Sequence, residues 1–253
     1  MSTAITASRI QHEPQLLGRT VVVSGGSAGI GFETARRAAE EGAKLILTGR
    51  NAESLQRAAC EVDALTTAAF DATDPALLAQ FFRDLPAPVD HIMVTADRPY
   101  CGRLIDLDPA NARRAFDEHF ALFIEVARHA AGKVRASGTL IFMGGTGGRR
   151  PAIGFGIQST LTAALPALTA NLALELALVR VNLIAAGFVD TQLSASLLGD
   201  ELESRRSQLR AKLPIRRVIK PRDVAPLAVH IIINTALTGA TYDVDGGQQL
   251  VAA

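Results

Sequence analysis

The sequence contains no tryptophan, only two cysteines and almost no net charge. With 26 basic and 25 acidic residues, its formal charge of +1 gives no reason to expect nucleic acid or an anionic membrane as a partner. Cys60 and Cys101 lack metal-binding or redox spacing, so we expect reduced thiols, a cytoplasmic location and no metal site. No apolar run is long enough to span a membrane, and the first residues lack the features of a secretory signal.

Length and composition favour one α/β domain. The chain has 253 residues, of which 48% are hydrophobic and 20% are charged, and this size suits a single large core. Residues 1–16 show no periodicity and are predicted to form a flexible lead-in. No repeat, low-complexity tract or linker divides the remainder, so residues 17–253 are predicted to form a single domain.

Short apolar runs alternate with longer amphipathic stretches along the chain. The candidate strands are Thr20–Ser24, Lys44–Thr48, Thr66–Phe70, His91–Thr95, Thr139–Met143, Arg180–Ala185 and Thr241–Val244. The amphipathic stretches lie near 29–41, 51–61, 74–84, 109–131, 157–178 and 221–233. Helices of this length between strands form crossovers, so the pattern predicts a doubly wound parallel sheet of the Rossmann type with helices on both faces.

A glycine-rich turn follows the first candidate strand. The segment TVVVSGGSAGIG (20–31) passes from the strand into an amphipathic helix, with Gly25, Gly29 and Gly31 in the turn. Glycines at these positions permit a tight turn and the close approach of a pyrophosphate to the start of the helix. A turn that is packed tightly for its own sake is the alternative.

The turn after the second strand bears on the choice of cofactor. Folds that select NAD usually place an acid there, whereas an arginine suits the 2′-phosphate of NADP. Arg50 occupies this turn and Ser27 is a candidate helper, so NADP(H) is favoured over NAD(H); a solvated Arg50 is the alternative. Asp71 ends the third strand and could accept the adenine amino group, or it could act as a helix cap before Asp74–Pro75.

These segments resemble the short-chain dehydrogenase/reductase family over about residues 17–250. The resemblance rests on SGGSAGIG (24–31), FDATD (70–74), LALEL (172–176), VRVNLIAAGFVDT (179–191) and TGATYDVDGG (238–247). It implies a seven-stranded sheet, a nicotinamide cofactor and a homodimer or homotetramer; the helices near 109–131 and 157–178 are rich enough in alanine and leucine to pack against a second copy. The cofactor-binding positions that it implies are Gly25, Ser27, Gly29, Ile30, Gly31, Arg50, Asp71, Ala96, Gly187, Val189 and Thr191.

The resemblance also places changed residues at all four catalytic positions of the family. Its asparagine, serine, tyrosine and lysine positions hold His119, Gly145, Gln158 and Thr162. No shift of register restores the tyrosine–lysine pair, because the only tyrosines are Tyr100 and Tyr242 and no lysine lies between Lys133 and Lys212. Glutamine cannot titrate, so we do not expect ordinary reduction of carbonyl groups with proton transfer from this position.

Three residues are candidate substitutes for the missing groups. His119 could supply protons through water, or it could be a core or interface histidine. The hydroxyl of Thr146 could approach the substrate, or the residue could simply belong to a turn. Tyr100 follows the fourth strand and could be a displaced proton donor or an aromatic wall of the substrate cleft.

Pro166 falls inside the predicted helix near 157–178. It leaves the carbonyl of Thr162 without its usual helical partner, at a cost of about 3 kcal/mol in a regular helix. We expect a kink at this point; the alternative is that the helix proper begins near Pro166.

Asp97 is the strongest feature against ordinary cofactor binding. It replaces a family glycine whose backbone lies close to the cofactor, and a carboxylate near phosphates is unfavourable unless Arg98 offsets it. A chain that binds no cofactor is therefore one of the alternatives.

Four arginines lie near the expected cleft, and the substrate cannot be named from them. Arg98, Arg103, Arg149 and Arg150 could receive an anionic group of a small-molecule substrate, or they could be solvated. Residues 192–219 are expected to cover the substrate. Three functional hypotheses follow: an NADP(H)-dependent oxidoreductase with an unconventional site, a catalytically inactive nucleotide-binding or regulatory protein, and a non-redox enzyme that uses His119.

Overall fold

The computed structural model describes residues 13–96 and 99–251. Its centre is one sheet of seven parallel strands in the order β3-β2-β1-β4-β5-β6-β7. The strands are β1 Thr20–Ser24, β2 Lys44–Gly49, β3 Thr66–Ala69, β4 Val89–Val94, β5 Val134–Gly145, β6 Arg180–Ala186 and β7 Thr241–Val244. This arrangement confirms the predicted Rossmann-type, doubly wound fold.

Helices cover both faces of the sheet. They are α1 Gly29–Glu40, α2 Ala52–Glu61, α3 Pro75–Asp84, α4 Pro109–Ala130, α5 Gly156–Glu175, α6 Gln192–Leu198, α7 Leu202–Lys212 and α8 Pro221–Ile233. Successive side chains of β1 point to opposite faces: Val21 and Val23 join the core with α1 and α8, whereas Val22 joins the core with α3 and α4. Because both faces are buried, the inner strands carry continuous apolar runs, such as residues 21–23 in β1 and residues 45–47 in β2, instead of an alternating pattern. None of the helices described is both long and apolar enough to cross a membrane.

The start of β5 differs most from the sequence prediction, and the course of α5 decides between two alternatives. β5 begins at Val134, five residues earlier than expected, because residues 135–137 (Arg, Ala and Ser) are exposed and form no apolar run. α5 begins at Gly156 and runs through Pro166 to Glu175, so the alternative in which the helix starts near Pro166 is wrong. The kink at Pro166 stays a prediction.

The packed domain extends at least to Leu16. This side chain is 2% exposed, and its amide donates to the carbonyl of Glu41 over 2.8 Å. Leu16 was assigned to the lead-in because it lacks periodic neighbours, but a single buried contact of this kind leaves no periodic trace in a sequence. Residues 1–12 of the predicted lead-in lie outside the described residues.

Candidate nucleotide-binding and catalytic site

The glycine loop joins β1 to α1 at the carboxyl end of the sheet. Gly25 has a φ of +87° and Gly29 a φ of +58°, both in the left-handed region that favours glycine. A Cβ on Gly25 would stand 2.5 Å from Oγ1 of Thr95, and one on Gly31 would stand 2.3 Å from the carbonyl oxygen of Gly25. The turn therefore has no room for side chains at either position.

Thr95 anchors this loop, a role that the sequence analysis missed. Its hydroxyl lies 2.9 Å from the carbonyl oxygen of Ser24 and 3.3 Å from that of Gly25, and it donates to both. The contact exists because β4 lies directly beside β1 in the sheet. A hydroxyl at the end of the strand expected next to β1 is the signal that could have identified it.

The first turn of α1 is suited to an anion. Ala28 occupies the N-cap position without a side-chain hydrogen bond, and no acidic residue lies in the first turn. The backbone N–H groups that begin a helix have no partners within it, and they carry a partial positive charge. The residues around Gly29, Ile30 and Gly31 therefore fit the pyrophosphate of a dinucleotide.

The turn that carries Arg50 lies beside the same loop. Gly49 ends β2, and a Cβ placed on it would stand 3.1 Å from the hydroxyl of Ser27. Arg50 follows directly, is exposed, and forms no ion pair with another described residue. The hydroxyl of Ser27 thus lies beside the end of β2 and Arg50 is the next residue along the chain, a pair of groups that fits a ribose 2′-phosphate.

Asp71 does not cap α3. Its Oδ1 accepts hydrogen bonds from the amide and the hydroxyl of Thr73, at 3.0 and 2.8 Å. The N-cap of α3 is Asp74, which accepts from the amides of Ala76 and Leu77, so the alternative that made Asp71 the cap is wrong. Asp71 is exposed, and its contact with adenine stays a prediction.

The loop after β6 reaches the glycine loop. A Cβ on Gly187 would collide with Oε1 of Gln248 at 2.7 Å, so this chain crossing requires glycine. Val189 pairs with Ile219, and Thr191 accepts from the amide of Ser194 at the start of α6. The position of a Cβ on Gly29 is 3.5 Å from the methyl group of Thr191. The structure therefore brings the predicted cofactor residues of both loops together.

Gly145 and Thr162 fit against each other at the end of β5. A Cβ on Gly145 would stand 3.3 Å from Cγ2 of Thr162, so a larger residue there requires its neighbour to move. The hydroxyl of Thr162 donates to the carbonyls of Gln158 and Ser159 within α5, at 3.0 and 3.1 Å. The methyl group of Thr162 fills the corner, and its hydroxyl is used by the helix.

Gln158 holds the loop that follows β4. Its Oε1 accepts a hydrogen bond from the backbone amide of Tyr100 over 3.1 Å. A second bond joins the same two segments, from the amide of Gly102 to the carbonyl of Gly154 at 2.8 Å. Ala96 packs against the core at the beginning of this loop, while Asp97 and Arg98 lie outside the described residues. The start of α5 and the loop around Tyr100 are therefore fastened together.

The remaining candidate donors are buried. His119 is 3% exposed and packs edge-to-face on the rings of Phe120 and Phe123, with centroids 5.6 and 4.9 Å away. Thr146 is also 3% exposed. Both residues lie within the protein near the site and do not line an open cleft.

Arg149 does not offer its charge to a substrate. Its guanidinium forms a two-pronged ion pair with Asp243, at 2.8 and 2.5 Å, and this contact holds the pKa of Asp243 below its usual value. This ion pair disfavours the alternative in which Arg149 receives an anionic ligand, and that alternative stays a prediction. Arg103 is exposed, and Arg150 is half-buried and near Arg205, whose pKa is lowered chiefly by burial and further by the charge of Arg150.

An apolar groove of about 440 Å³ opens beside the first turn of α5. Its lining consists of Leu104, Leu107, Pro109, Ala112, Arg113, Phe116 and Ile157. Ile157 precedes Gln158 directly, so the groove borders the residues that fasten the loop. The groove can hold the apolar body of a small molecule.

Residues 25–249 match the sequence profile of a family described as enoyl-(acyl carrier protein) reductase. The chain belongs to the short-chain dehydrogenase/reductase family. It is similar to the short-chain dehydrogenase/reductase ATR9 of Stachybotrys chlorohalonatus, with 27% identity over 254 residues that cover 92% of this chain and 98% of the relative. It is also similar to an NADP-dependent (R)-specific alcohol dehydrogenase of Lentilactobacillus kefiri, with 27% identity covering 92% of this chain and 97% of that one.

A solved structure of another short-chain dehydrogenase gives the same result. That crystal structure, of a small-chain dehydrogenase in complex with NADPH, aligns with a TM-score of 0.79 and 26% identity. The alignment covers 92% of this chain and 99% of the other. This short-chain dehydrogenase/reductase therefore shares both the fold and nearly the whole length of relatives that are oxidoreductases.

Proposed function

We propose that the protein is an NADP(H)-dependent oxidoreductase. Its site has no proton-donating tyrosine, because Gln158 occupies the position where the family carries one. The observation that carries the cofactor assignment is the placement of three groups at one edge of the sheet. Arg50 follows the end of β2, Ser27 lies beside that end, and the start of α1 has no side-chain cap. NADPH-binding and NADP-dependent relatives support it. A bound reduced nicotinamide supplies a hydride; the residues of this chain hold the cofactor and orient the acceptor.

Gln158 changes what the site can do chemically. Positioned acid–base catalysis contributes about 10² to 10⁴ in rate, and an amide cannot provide it. Orientation of the hydride donor and its acceptor still lowers the barrier. We therefore expect no turnover of common ketones or alcohols at the usual rate of about 1 to 10³ s⁻¹.

A catalytically inactive, nucleotide-binding or regulatory protein is the second candidate. The packing of Thr162 against Gly145 favours it, because the corner where the family carries its lysine and serine is filled by a methyl group. A non-redox enzyme that uses His119 is less well supported, since this ring is buried among aromatic side chains.

We also propose a homo-oligomer and a cytoplasmic location. α4 and α5 carry exposed apolar side chains, Ile124 and Leu174, that suit contact with a second copy. Cys60 and Cys101 are both free and exposed, which suits a reducing compartment. Arg103 and Arg150 support a substrate that carries an anionic group.

The cofactor assignment is tested by titration with NADPH and NADH, followed by nicotinamide fluorescence or calorimetry because the chain has no tryptophan. We expect tighter binding of NADPH than of NADH. Arg50→Ala removes a charge-assisted contact. It is expected to weaken the affinity for NADPH by about 10- to 100-fold and to leave the affinity for NADH unchanged. Arg57→Ala, on the exposed face of α2, is the control for loss of a nearby charge. If neither NADPH nor NADH binds, the proposal is wrong.

A further inference from the structure

One stretch of the chain concentrates positive charge. The whole sequence has a formal charge of only +1, yet residues 204–222 contain eight basic residues and no acidic residue. A local excess of one sign attracts ligands of the opposite charge. The eight residues are Arg205, Arg206, Arg210, Lys212, Arg216, Arg217, Lys220 and Arg222.

Five of these cations line one cavity of about 440 Å³ between α7 and the start of α8. They come from α7, from the loop before α8 and from the first turn of α8, so three segments direct positive charge at one space. None of the five is among the predicted cofactor-binding residues. The full lining is Asp190, Glu203, Arg206, Arg210, Arg217, Val218, Lys220 and Arg222.

Three of the five cations are held in place by carboxylates. A guanidinium group has five N–H donors, and each of these ion pairs uses only some of them. The pairs therefore fix the position of the guanidinium groups and leave donors for a ligand. Arg206 pairs with Asp190 at 2.6 Å, Arg210 with Glu203 at 2.5 Å, and Arg217 with Asp223 at 2.6 Å.

The cluster keeps an excess of positive charge after these pairs are formed. Lys220 and Arg222 are exposed, and neither forms an ion pair with another described residue. Five cations and three carboxylates leave a charge of +2 at the cavity. A phosphate monoester carries about −1.5 to −2 at neutral pH, so its charge complements this excess.

Lys220 and Arg222 also oppose the dipole of α8. Lys220 occupies the N-cap position and Arg222 lies in the first turn, where the helix end already carries a partial positive charge. An ammonium group cannot accept from the first amides as a capping side chain does. Because both side chains are exposed, packing does not require them. Residues that break a local rule in this way are expected where a ligand supplies the compensation.

We propose that this cavity binds the phosphate ester of a small soluble molecule. The phosphate oxygens accept from Lys220 and Arg222 at the start of α8 and from Arg210 on α7. The concave shape and the volume of the cavity suit a small molecule better than the flat surface of a membrane. The bound ester joins α7 to α8 and thereby holds part of the segment that is expected to cover the substrate. The site is independent of the proposed cofactor.

The binding test is calorimetric titration of the full-length protein with glycerol 2-phosphate and with inorganic phosphate. We expect the ester to bind with a dissociation constant below about 1 mM, and Lys220→Gln with Arg222→Gln to weaken it by at least about tenfold. Arg57→Gln with Arg128→Gln removes two exposed cations from α2 and α4, and this control is expected to bind normally.

Arg50→Ala separates this site from the cofactor site. Binding of the ester is expected to be unchanged in this variant, whether or not the protein binds NADPH. Loss of ester binding in Arg50→Ala, with normal binding by the Lys220 and Arg222 double variant, places the phosphate at the cofactor site and overturns the proposal. Tighter binding of inorganic phosphate than of the ester overturns the assignment of an ester. Binding only to vesicles of phosphatidic acid, or only to single-stranded DNA, assigns the cations to a membrane or a nucleic acid and overturns it as well.

Thermal unfolding gives a second readout, which a structural role of the two cations would move in the opposite direction. Without phosphate, Lys220→Gln with Arg222→Gln is expected to raise the midpoint of unfolding by about 2 °C, because charges that oppose the helix dipole are removed. Addition of the ester is expected to raise the midpoint of the wild-type protein and to leave that of the double variant unchanged. A lower midpoint in the double variant shows that the two cations serve the fold, and the proposal is then wrong.

Discussion

His91 is a buried histidine whose protonation opposes folding. Its side chain lies in β4 and is 7% exposed, and burial lowers its pKa to about 4, assisted by the charges of Arg180 and Arg19 and opposed by that of Asp90. An unfolded histidine titrates at about 6.5. Between these values the unfolded chain binds a proton that the folded chain does not, so stability falls as the pH falls.

We predict that the free energy of unfolding decreases by about 3 kcal/mol between pH 7 and pH 4 because of His91. Urea unfolding measured at several pH values tests this. His91→Leu is expected to flatten the decrease, whereas Ile92→Val, a neighbouring core change, lowers stability by about 1 kcal/mol at every pH. An unchanged slope in His91→Leu refutes the assignment. Asp90, whose pKa is lowered by hydrogen bonds with the Thr20 amide and Arg19 that outweigh its burial, loses its contribution only below about pH 4.

Some single residues could be identified from the sequence, and others could not. Gly25 and Gly31 were recognisable because a turn between a strand and a helix needs glycine at fixed positions. The contact of Gln158 with Tyr100 joins residues 58 apart in the chain, and the ion pair of Arg149 with Asp243 joins residues 94 apart. No local pattern predicts such pairs, since they depend on how neighbouring strands end at the same edge of the sheet.

At the scale of elements, the C-terminal end of α8 is capped by a buried arginine from β6. Arg180, at the start of β6, is 7% exposed and donates to the carbonyls of Ile231, Ile232, Asn234 and Leu237 at 2.7 to 3.2 Å. The carbonyls of Ile231 and Ile232 belong to the last turn of α8 and have no partner within the helix. The cation also complements the negative end of the helix dipole. Burial lowers the pKa of Arg180, and these acceptors replace the water that the guanidinium loses on burial.

Arg180→Met is expected to lower the free energy of unfolding by about 3 kcal/mol, because it leaves the carbonyls of Ile231 and Ile232 without their donor. Urea denaturation provides the measurement. Arg128→Met, which breaks an exposed ion pair on α4, serves as the control and is expected to cost less than about 1 kcal/mol. Equal losses in the two variants would show that the capping of α8 contributes little.

Elements were predicted best where apolar runs end abruptly. β1 and β7 have the predicted limits because turn residues follow them directly. The start of β5 was not predicted because residues 135–137 are exposed and lie between the paired residues Val134 and Thr139, where no apolar run marks a strand. α5 continues through Pro166 although propensity opposes it, since Leu165 before the proline and Leu168 and Leu172 after it pack against the core.

At the scale of the whole molecule, α4 and α5 carry apolar side chains on their outer surface. Leu174 is 80% exposed and Ile124 is 43% exposed. A monomer gains nothing from large apolar groups in water, so a second copy is the expected cover.

Ile124→Glu with Leu174→Glu is expected to reduce the molecular mass in solution, because charges replace the apolar contact. Size-exclusion chromatography with light scattering measures it. Leu65→Glu changes another exposed leucine, directly before β3, and is the control that should leave the mass unchanged. A wild-type protein that is already monomeric refutes the prediction.

The pairing of β1 with β4 also has a consequence for how the chain folds. Thr95 bonds to Ser24, 71 residues earlier, so the middle of the sheet closes only after a long loop has been brought together. Pairings so distant in the chain form slowly. During synthesis, the edge of β1 that pairs with β4 stays unpaired until β4 has emerged from the ribosome. Fragments that end before residue 94 should therefore depend on chaperones and aggregate readily, while the full-length chain does not.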